Sequence, residues 1–173
     1  MKIISVAAVT AGGKTTVINA LLKKLPNATA LYFDDYDFEG AVDDFYKWVI
    51  DGADYNVWDL EPLKKDIVKI KESKEYEYLL LDYPFAYCNE TIKSLIDTAV
   101  FIDTPLDIAL ARGILRDMKN SSGEEIASLL DYYLNYARVA FVQMQKDVLP
   151  SSDYVINGEK SIDEIVDEIV SLI

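Results

Sequence analysis

The chain has 173 residues, enough for one domain with a substantial core, and its 17 Lys and Arg against 30 Asp and Glu give a net charge of −13. So acidic a chain argues against nucleic acid or an anionic membrane as a partner, because both are polyanions. It has no histidine and one cysteine, which excludes histidine-based nucleophilic catalysis, an intramolecular disulfide and a cysteine-rich zinc site.

Short apolar segments alternate with segments of helical periodicity along the whole chain. The pattern predicts strands over 2–9, 28–33, 76–81, 98–102 and 154–156. It predicts helices over 14–25, 41–50, 62–72, 104–119 and 122–148, and a last helix from 162 to 173. Thr104 is the predicted cap of the fourth helix, and Ser122 and Ser161 begin capping boxes. Apolar strands separated by helices indicate an α/β fold with a parallel sheet covered on both faces.

The segment from Ala8 to Thr15 lies between the first strand and the first helix and matches G-x-x-x-x-G-K-[ST], with Ala8 in place of the first glycine. Backbone N–H groups and the dipole of a helix N-terminus favour a phosphate there. Lys14 is expected to reach the β- and γ-phosphates, and the Thr15 hydroxyl to ligate Mg²⁺. The alternative is a plain glycine turn with Lys14 in solvent. The predicted nucleotide site consists of Thr10, Ala11, Gly12, Gly13, Lys14, Thr15 and Thr16, with ATP and Mg²⁺ as cofactors.

Acidic residues follow three of the predicted strands. In open α/β sheets, ligands bind outside the carboxyl ends of the strands, which makes Asp34, Asp82 and Asp103 candidates. The run 79–82 has the form of a strand that ends in a magnesium-binding acid, and Asp103 also follows apolar residues and competes with Asp82 for the metal. Asp34 and Asp35 end the second strand close to the loop and are candidates for a catalytic base, because a kinase needs a carboxylate to orient and deprotonate the attacking hydroxyl.

Arginine is rare in this chain and falls in one region. Arg112 and Arg116 are four residues apart, so they share one helix face. Their planar guanidinium groups suit the oxygens of a phosphoryl group in transfer, and the polar break at 119–123 is a candidate mobile lid. The alternative is surface pairing with neighbouring acids such as Asp117.

The chain has 12 tyrosines, and several flank the predicted site. Tyr36, Tyr83 and Tyr87 are expected to bind the substrate by stacking on a flat base. The alternative for each is packing at the margins of the sheet.

These motifs resemble the uridine kinase / nicotinamide riboside kinase group of P-loop kinases over nearly the whole chain. The matching segments are 9–16, 25–36, 101–104, 111–117 and 136–153. The resemblance implies a P-loop NTPase three-layer sandwich, with a central five-stranded parallel sheet and a small helical lid. It also implies a single domain over 1–173, with the lid at about 112–125, and it places the family's base at Asp34, the first acid of the pair 34–35. In the fold that the chain resembles, the third strand usually lies beside the strand of the phosphate loop, which favours Asp82 over Asp103 for the metal.

Three departures concern the acceptor side of the site. Gly113 follows Arg112, where the family often has a second arginine, and Asp82-Tyr83-Pro84 stands in place of Glu-Gly. The histidine that uridine kinases use near the base is missing. The resemblance therefore implies phosphoryl transfer but leaves the acceptor open.

The sequence as a whole predicts ATP-dependent phosphoryl transfer to the hydroxyl of a small molecule, with a nucleoside or nucleoside-like acceptor favoured. Two alternatives stay open: an ATPase or GTPase switch, for which 37–40 matches D-x-x-G, and a degenerate ATP-binding module, suggested by Ala8 and Gly113. No apolar run reaches about 18 residues, and Met1-Lys2 lacks a signal-peptide layout, so we expect a cytoplasmic protein with no membrane partner. The oligomeric state is left open.

Overall fold

The computed structural model describes all residues from Met1 to Ile173, and its centre is one sheet of five strands in the order β2-β3-β1-β4-β5. Every neighbouring pair is parallel. The strands are β1 (Lys2–Ala7), β2 (Ala28–Tyr32), β3 (Tyr78–Asp82), β4 (Thr98–Asp103) and β5 (Tyr154–Asn157). The predicted α/β class and five-stranded parallel sheet are therefore confirmed, with strand ends that differ from the predicted ones by one or two residues.

Seven helices cover the sheet. They are α1 (Lys14–Lys24), α2 (Phe45–Ile50), α3 (Glu61–Ser73), α4 (Leu106–Asp117), α5 (Gly123–Tyr132), α6 (Arg138–Ser151) and α7 (Ile162–Leu172). None of them combines the length and the apolar sequence that crossing a bilayer requires.

The strands contribute alternate side chains to two hydrophobic cores, one on each face of the sheet. Ile3 of β1 belongs to a core of 21 buried residues that includes Leu63 of α3 and Val148 of α6. Its neighbour Ile4 belongs to a core of 14 buried residues that includes the buried side chains of α1 and α7. Because successive side chains of a strand point to opposite faces, the apolar strands pack against helices on both faces of the sheet. The result is the predicted three-layer sandwich.

Two predicted helices differ from the structure. The helix expected from residue 41 begins at Phe45, where the Asp44 side chain accepts a hydrogen bond from the backbone N–H of Lys47. The long helix expected over 122–148 begins at the predicted capping box but is interrupted by a π-helical turn over Tyr133–Ala137. Such a turn holds one extra residue, and no periodicity of apolar residues announces it.

The predicted cap at Thr104 is wrong. Helix α4 begins after Pro105 without a side-chain cap, and the Thr104 hydroxyl instead donates to the backbone carbonyl oxygen of Gly12 at 2.8 Å. Thr104 is 1% exposed, and a buried hydroxyl needs a partner, which the loop between β1 and α1 supplies. Gly158, after β5, packs against the same residue: a Cβ there would lie 2.0 Å from the Thr104 hydroxyl oxygen. Thr104 therefore ties the end of β4 to the loop.

Replacing Thr104 tests this tie. Thr104→Val keeps the shape of the side chain but leaves the Gly12 carbonyl without its partner, so we expect a loss of about 1–3 kcal/mol in unfolding free energy. The matched control is Thr98→Val at the start of β4, because Thr98 is also buried but makes no side-chain hydrogen bond. Urea denaturation of both variants measures the difference. Equal losses would show that the hydroxyl at 104 stabilises nothing beyond its packing.

Candidate active site

The loop between β1 and α1 is tightly packed. The N–H of Gly12 donates to the carbonyl oxygen of Val9 at 2.9 Å, and Ala11 and Gly13 both have positive φ, 58° and 107°. A Cβ on Gly12 would lie 2.8 Å from that carbonyl oxygen and 2.9 Å from the Cβ of Ala8. Ala8 itself is completely buried. Ala8 has one methyl group more than the glycine of the motif, and this group fits because residue 12 has no side chain.

A hydrogen bond ties the start of α1 to the end of β3. The Thr15 hydroxyl donates to Asp82 at 2.5 Å, and the ammonium nitrogen of Lys14 lies 4.0 Å from the other oxygen of the same carboxylate. The side chain of Lys14 is 16% exposed and that of Asp82 is 7% exposed. Burial lowers the pKa of Lys14 and raises the pKa of Asp82, because both groups lose hydration of their charged forms. A plain turn with Lys14 in solvent is therefore excluded.

Of the two acidic residues that end β3 and β4, it is Asp82 and not Asp103 that contacts the start of α1. Strand β3 pairs with β1 so that Asp82 stands beside Val6, two residues before the loop. Asp103 ends β4, and its nearest side-chain partner is the Gln145 amide at 3.5 Å. Because β4 also pairs with β1, the distinction between the two acids comes from the contacts that Asp82 alone makes with Thr15 and Lys14.

Thr15 and Asp82 together suit a magnesium ion. Both present oxygen, the ligand atom that Mg²⁺ prefers, and their contact brings the two donors to one point. No group of three or more acidic, cysteine or histidine side chains in the chain could hold a metal ion on its own. This arrangement fits an ion that is bound by one or two protein oxygens and completed by phosphate oxygens and water.

Asp34 and the loop between β1 and α1 line one and the same cavity of the protein. It follows β2 on a short 3₁₀ turn, Phe33–Asp35, and its exposed carboxylate makes no hydrogen bond within the protein. It lines the cavity, and Asp35 does not. Burial lowers the pKa of Lys14, while the charges of Asp82 and then Asp34 act in the opposite direction, so Asp34 is within electrostatic range of the loop lysine.

One cavity of about 830 Å³ brings most of the predicted site together. Two further predicted residues, Gly12 and Asp82, are buried and do not line it. The predicted residues that line it are Thr10, Ala11, Gly13, Lys14, Thr15, Thr16, Asp34, Arg112 and Arg116.

Both predicted lid arginines line the cavity from α4, and both are exposed. The Arg112 guanidinium donates two long, weak hydrogen bonds of 3.4–3.5 Å to the carbonyl oxygen of Gly158. Arg116 donates two hydrogen bonds of 2.7 and 2.8 Å to Asp117, which raises the pKa of Arg116, and Asp34 acts in the same direction. Arg116 therefore pairs with Asp117 at the surface and also lines the cavity.

The tyrosines predicted to stack on the substrate do not line the cavity, and that prediction is corrected. Tyr36 donates to Asp66 at 2.8 Å, and Tyr87 donates to Asp153 at 2.6 Å, so distant acids hold both rings away from the site. Tyr83 is completely buried in the larger core, and its hydroxyl has no partner. All three tyrosines therefore have structural roles, in packing at the margins of the sheet or in the core.

Another set of aromatic rings lines the cavity instead, and we call it the aromatic wall. Neighbouring ring centroids lie 4.8–6.5 Å apart, which is the range of stabilising aromatic contacts. The wall consists of Phe33, Phe45, Trp48, Trp58 and Phe85. The signal for it in the sequence is weak: both tryptophans of the chain fall within eleven residues, shortly after Asp34.

The family model described as Phosphoribulokinase / Uridine kinase family matches residues 64–161, more than half of the chain. The match includes the end of β3 with Asp82, the two arginines of α4, and helices α5 and α6. The phosphate loop and Asp34 precede it.

Curated relatives extend the similarity to the rest of the chain. The uridine kinase of Staphylococcus epidermidis is 26% identical over 200 residues, which cover 99% of this chain and 96% of that protein. The uridine kinase of Borrelia hermsii is 25% identical over 179 residues, which cover 90% of this chain and 86% of that protein.

Solved structures of other kinases share the fold. A putative fructose transport system kinase from Silicibacter sp. TM1040 superposes with a TM-score of 0.60 at 12% identity, over 89% of this chain and 88% of its own. Shikimate kinase from Aquifex aeolicus gives a TM-score of 0.52 at 21% identity, over 98% and 94% of the two chains. At these identities the likeness establishes the fold alone.

The loop lysine offers a direct test of the phosphate site. Lys14→Ala removes the one buried cation of the loop, so we expect ATP affinity to fall on the order of 10²-fold, the scale for deleting one partner of a buried charge pair. Calorimetric titration with Mg-ATP measures the change. The control is Lys23→Ala, an exposed lysine on the same helix. Unchanged affinity in Lys14→Ala, with the native fold retained, would contradict the assignment of the loop.

Proposed function

The chain belongs to the phosphoribulokinase / uridine kinase family, and on this premise we propose that it is an ATP-dependent kinase of a small-molecule hydroxyl, with a nucleoside-like acceptor. One observation carries the proposal: Lys14 of the phosphate loop and the unpaired carboxylate of Asp34 line the same cavity. We propose further that the site belongs to a single domain over residues 1–173, with a lid at about 112–125.

In this proposal, the loop from Thr10 to Thr16 binds the phosphates of ATP. Backbone N–H groups at the start of α1 donate to phosphate oxygens, and Lys14 pairs with their charge. Thr15 and Asp82 would hold Mg²⁺, and a bound ion would supply positive charge that neutralises the phosphates. The hydrogen bond between these two residues already places both oxygens beside the loop.

Asp34 acts on the acceptor. Its carboxylate orients the acceptor hydroxyl and takes the proton as the hydroxyl oxygen attacks the γ-phosphorus, the bond to the β-phosphate oxygen breaks, and ADP leaves. Arg112 and Arg116 face the same cavity from α4 and stabilise the charge on the transferring group. In the protein without nucleotide, Arg116 is held by Asp117.

The D-x-x-G sequence that suggested a nucleotide switch has a structural explanation. Gly40 has a φ of 75°, and a Cβ there would lie 2.0 Å from the carbonyl oxygen of Val57. Neither Asp37 nor Gly40 lines the cavity. The glycine therefore allows two backbone segments to approach, and the motif adds no support for a switch.

The base assignment is tested by a matched pair of variants. Asp34→Asn keeps the size of the side chain but cannot take a proton, so we expect turnover to fall by ~10²-fold or more, with ATP affinity changed far less. Asp35→Asn is the control, since Asp35 lies outside the cavity. ADP release is measured with the best acceptor from a panel of nucleosides and other small alcohols. The reverse ranking would move the base to Asp35, and full turnover in both variants would contradict the mechanism.

The lid arginines are expected to act on turnover more than on binding. Arg112→Ala and Arg116→Ala remove cations that face the transferring group, so kcat should fall while the affinity for ATP changes little. Asp117→Asn releases Arg116 from its partner and serves as the comparison, with kcat maintained. Steady-state kinetics and ATP titration separate the two effects. Normal kcat in both alanine variants would show that these are surface arginines.

A further inference from the structure

Four aromatic side chains at the edge of the cavity are open to solvent. Phe45 and Tyr132 line the cavity and are also 42% and 50% exposed, so they lie at its rim. Tyr46 and Tyr136 do not line it and are 43% and 51% exposed. Single exposed aromatic rings are common, but rings grouped at the edge of a binding site indicate a role there.

Three of these side chains contact one another. The ring of Tyr136 meets the ring of Tyr46 edge to face at a centroid distance of 6.0 Å, and it stacks on the ring of Tyr132 at 5.7 Å. Both distances lie in the range of stabilising aromatic contacts. Tyr46 belongs to α2, Tyr132 is the last residue of α5, and Tyr136 lies in the π-helical turn that follows α5. We call these three residues the tyrosine bridge, since they join α2 to α5.

The two helices that the tyrosine bridge joins serve different parts of the proposed site. Helix α2 carries Phe45 and Trp48 of the aromatic wall, whose member Phe33 directly precedes Asp34, the base for the acceptor. Helix α5 follows α4, which carries both lid arginines, after the short connection 118–122. The bridge therefore connects the acceptor side of the site to the lid.

Helix α5 is not closely packed on α4. A second cavity of about 220 Å³ lies between α4, α5 and the π-helical turn, and its lining includes Leu110 and Gly113 of α4 and Leu129 of α5. Well-packed interiors rarely leave such a space, so α5 has room to move relative to α4. Helix α2 has only six residues, and a helix that short depends on contacts with its surroundings. The positions of both helices therefore depend on contacts such as the tyrosine bridge.

We infer that Tyr136 is a positioning residue that couples the binding of the acceptor to the binding of Mg-ATP. Through the tyrosine bridge, a ligand that orders α2 also orders α5 and the lid, and a ligand that orders the lid also orders α2. The second ligand then binds more tightly, because the first has already ordered both helices. The coupling has the same size in both directions. The inference rests on the proposed kinase function and adds a regulatory property to that site.

Hydrogen exchange of α2 tests the coupling without an acceptor. Saturating Mg-ATP is expected to slow amide exchange in Phe45–Ile50 of the unmodified chain by about fivefold or more. Tyr136→Ala removes both ring contacts and should abolish this slowing. Tyr136→Phe keeps both rings in contact and should retain it. The control is Leu134→Ala, which is in the same turn and 69% exposed. Calorimetry establishes that each variant is saturated with Mg-ATP.

Binding measurements give the coupling as a ratio. The affinity for the magnesium complex of AMP-PNP, an ATP analogue that resists transfer, is measured with and without the acceptor that gives the fastest ADP release in the panel. We expect the acceptor to increase this affinity by about fivefold or more in the unmodified chain, in Tyr136→Phe and in Leu134→Ala. In Tyr136→Ala the ratio should fall to about one, because α2 and α5 are no longer joined.

The outcomes separate this inference from the kinase proposal. Unchanged exchange in α2 when Mg-ATP binds to the unmodified chain, or equal slowing in Tyr136→Ala, would overturn the inference while ADP release still supported a kinase. Equal losses in Leu134→Ala and Tyr136→Ala would also overturn it, since the effect would then belong to the turn as a whole. Failure of the kinase proposal has a different signature: the unmodified chain would not bind Mg-ATP or would release no ADP with any acceptor.

Discussion

The hydrogen bond from Thr15 to Asp82 is the contact on which the site depends. It joins the first turn of α1 to the end of β3, two elements that are 67 residues apart in the chain and neighbours only because β3 pairs with β1. It holds the carboxylate beside Lys14, whose charge would otherwise be buried without a nearby partner. A largely buried cation, a hydroxyl and a carboxylate are thus held close together, which is the arrangement that the proposed phosphate and magnesium site requires.

Other strands hold the loop from the opposite side. Thr104, after β4, donates to the Gly12 carbonyl, and Gly158, after β5, closes over Thr104 without room for a side chain. The loop is therefore positioned by β1, β3, β4 and β5 together. A site held in this way needs little rearrangement when it meets the phosphates, which is the benefit of preorganisation. The aromatic wall of the cavity is built differently, from a 3₁₀ turn, a short helix and two loops that carry aromatic side chains.

The contrast explains what the sequence could and could not predict. The sheet and the phosphate loop depend on local patterns: short apolar runs between helices, and Gly12-Gly13-Lys14-Thr15 at a helix start. The roles of the tyrosines depend on partners far away in the chain, since Tyr36 finds Asp66 and Tyr87 finds Asp153. No local pattern indicates such pairs.

The aromatic wall was missed for the same reason. It is assembled from the turn after β2, from residues 45–58 and from the segment after β3, and these meet only in the folded chain. Thr104 is a smaller example, because its spacing before α4 fits a helix cap while its burial against Gly12 gives it another partner. Local propensity located the elements, and long-range packing decided what their side chains contact.

The fate of the γ-phosphoryl group tests the central claim most directly. ATP labelled with ¹⁸O in its γ-phosphate is incubated with the protein, Mg²⁺ and an acceptor alcohol, and mass spectrometry locates the label. Transfer to a hydroxyl positioned at Asp34 predicts one labelled phosphate ester for each ADP formed, with little labelled inorganic phosphate. Label recovered as inorganic phosphate, or retained in unreacted ATP with every acceptor, would contradict the account.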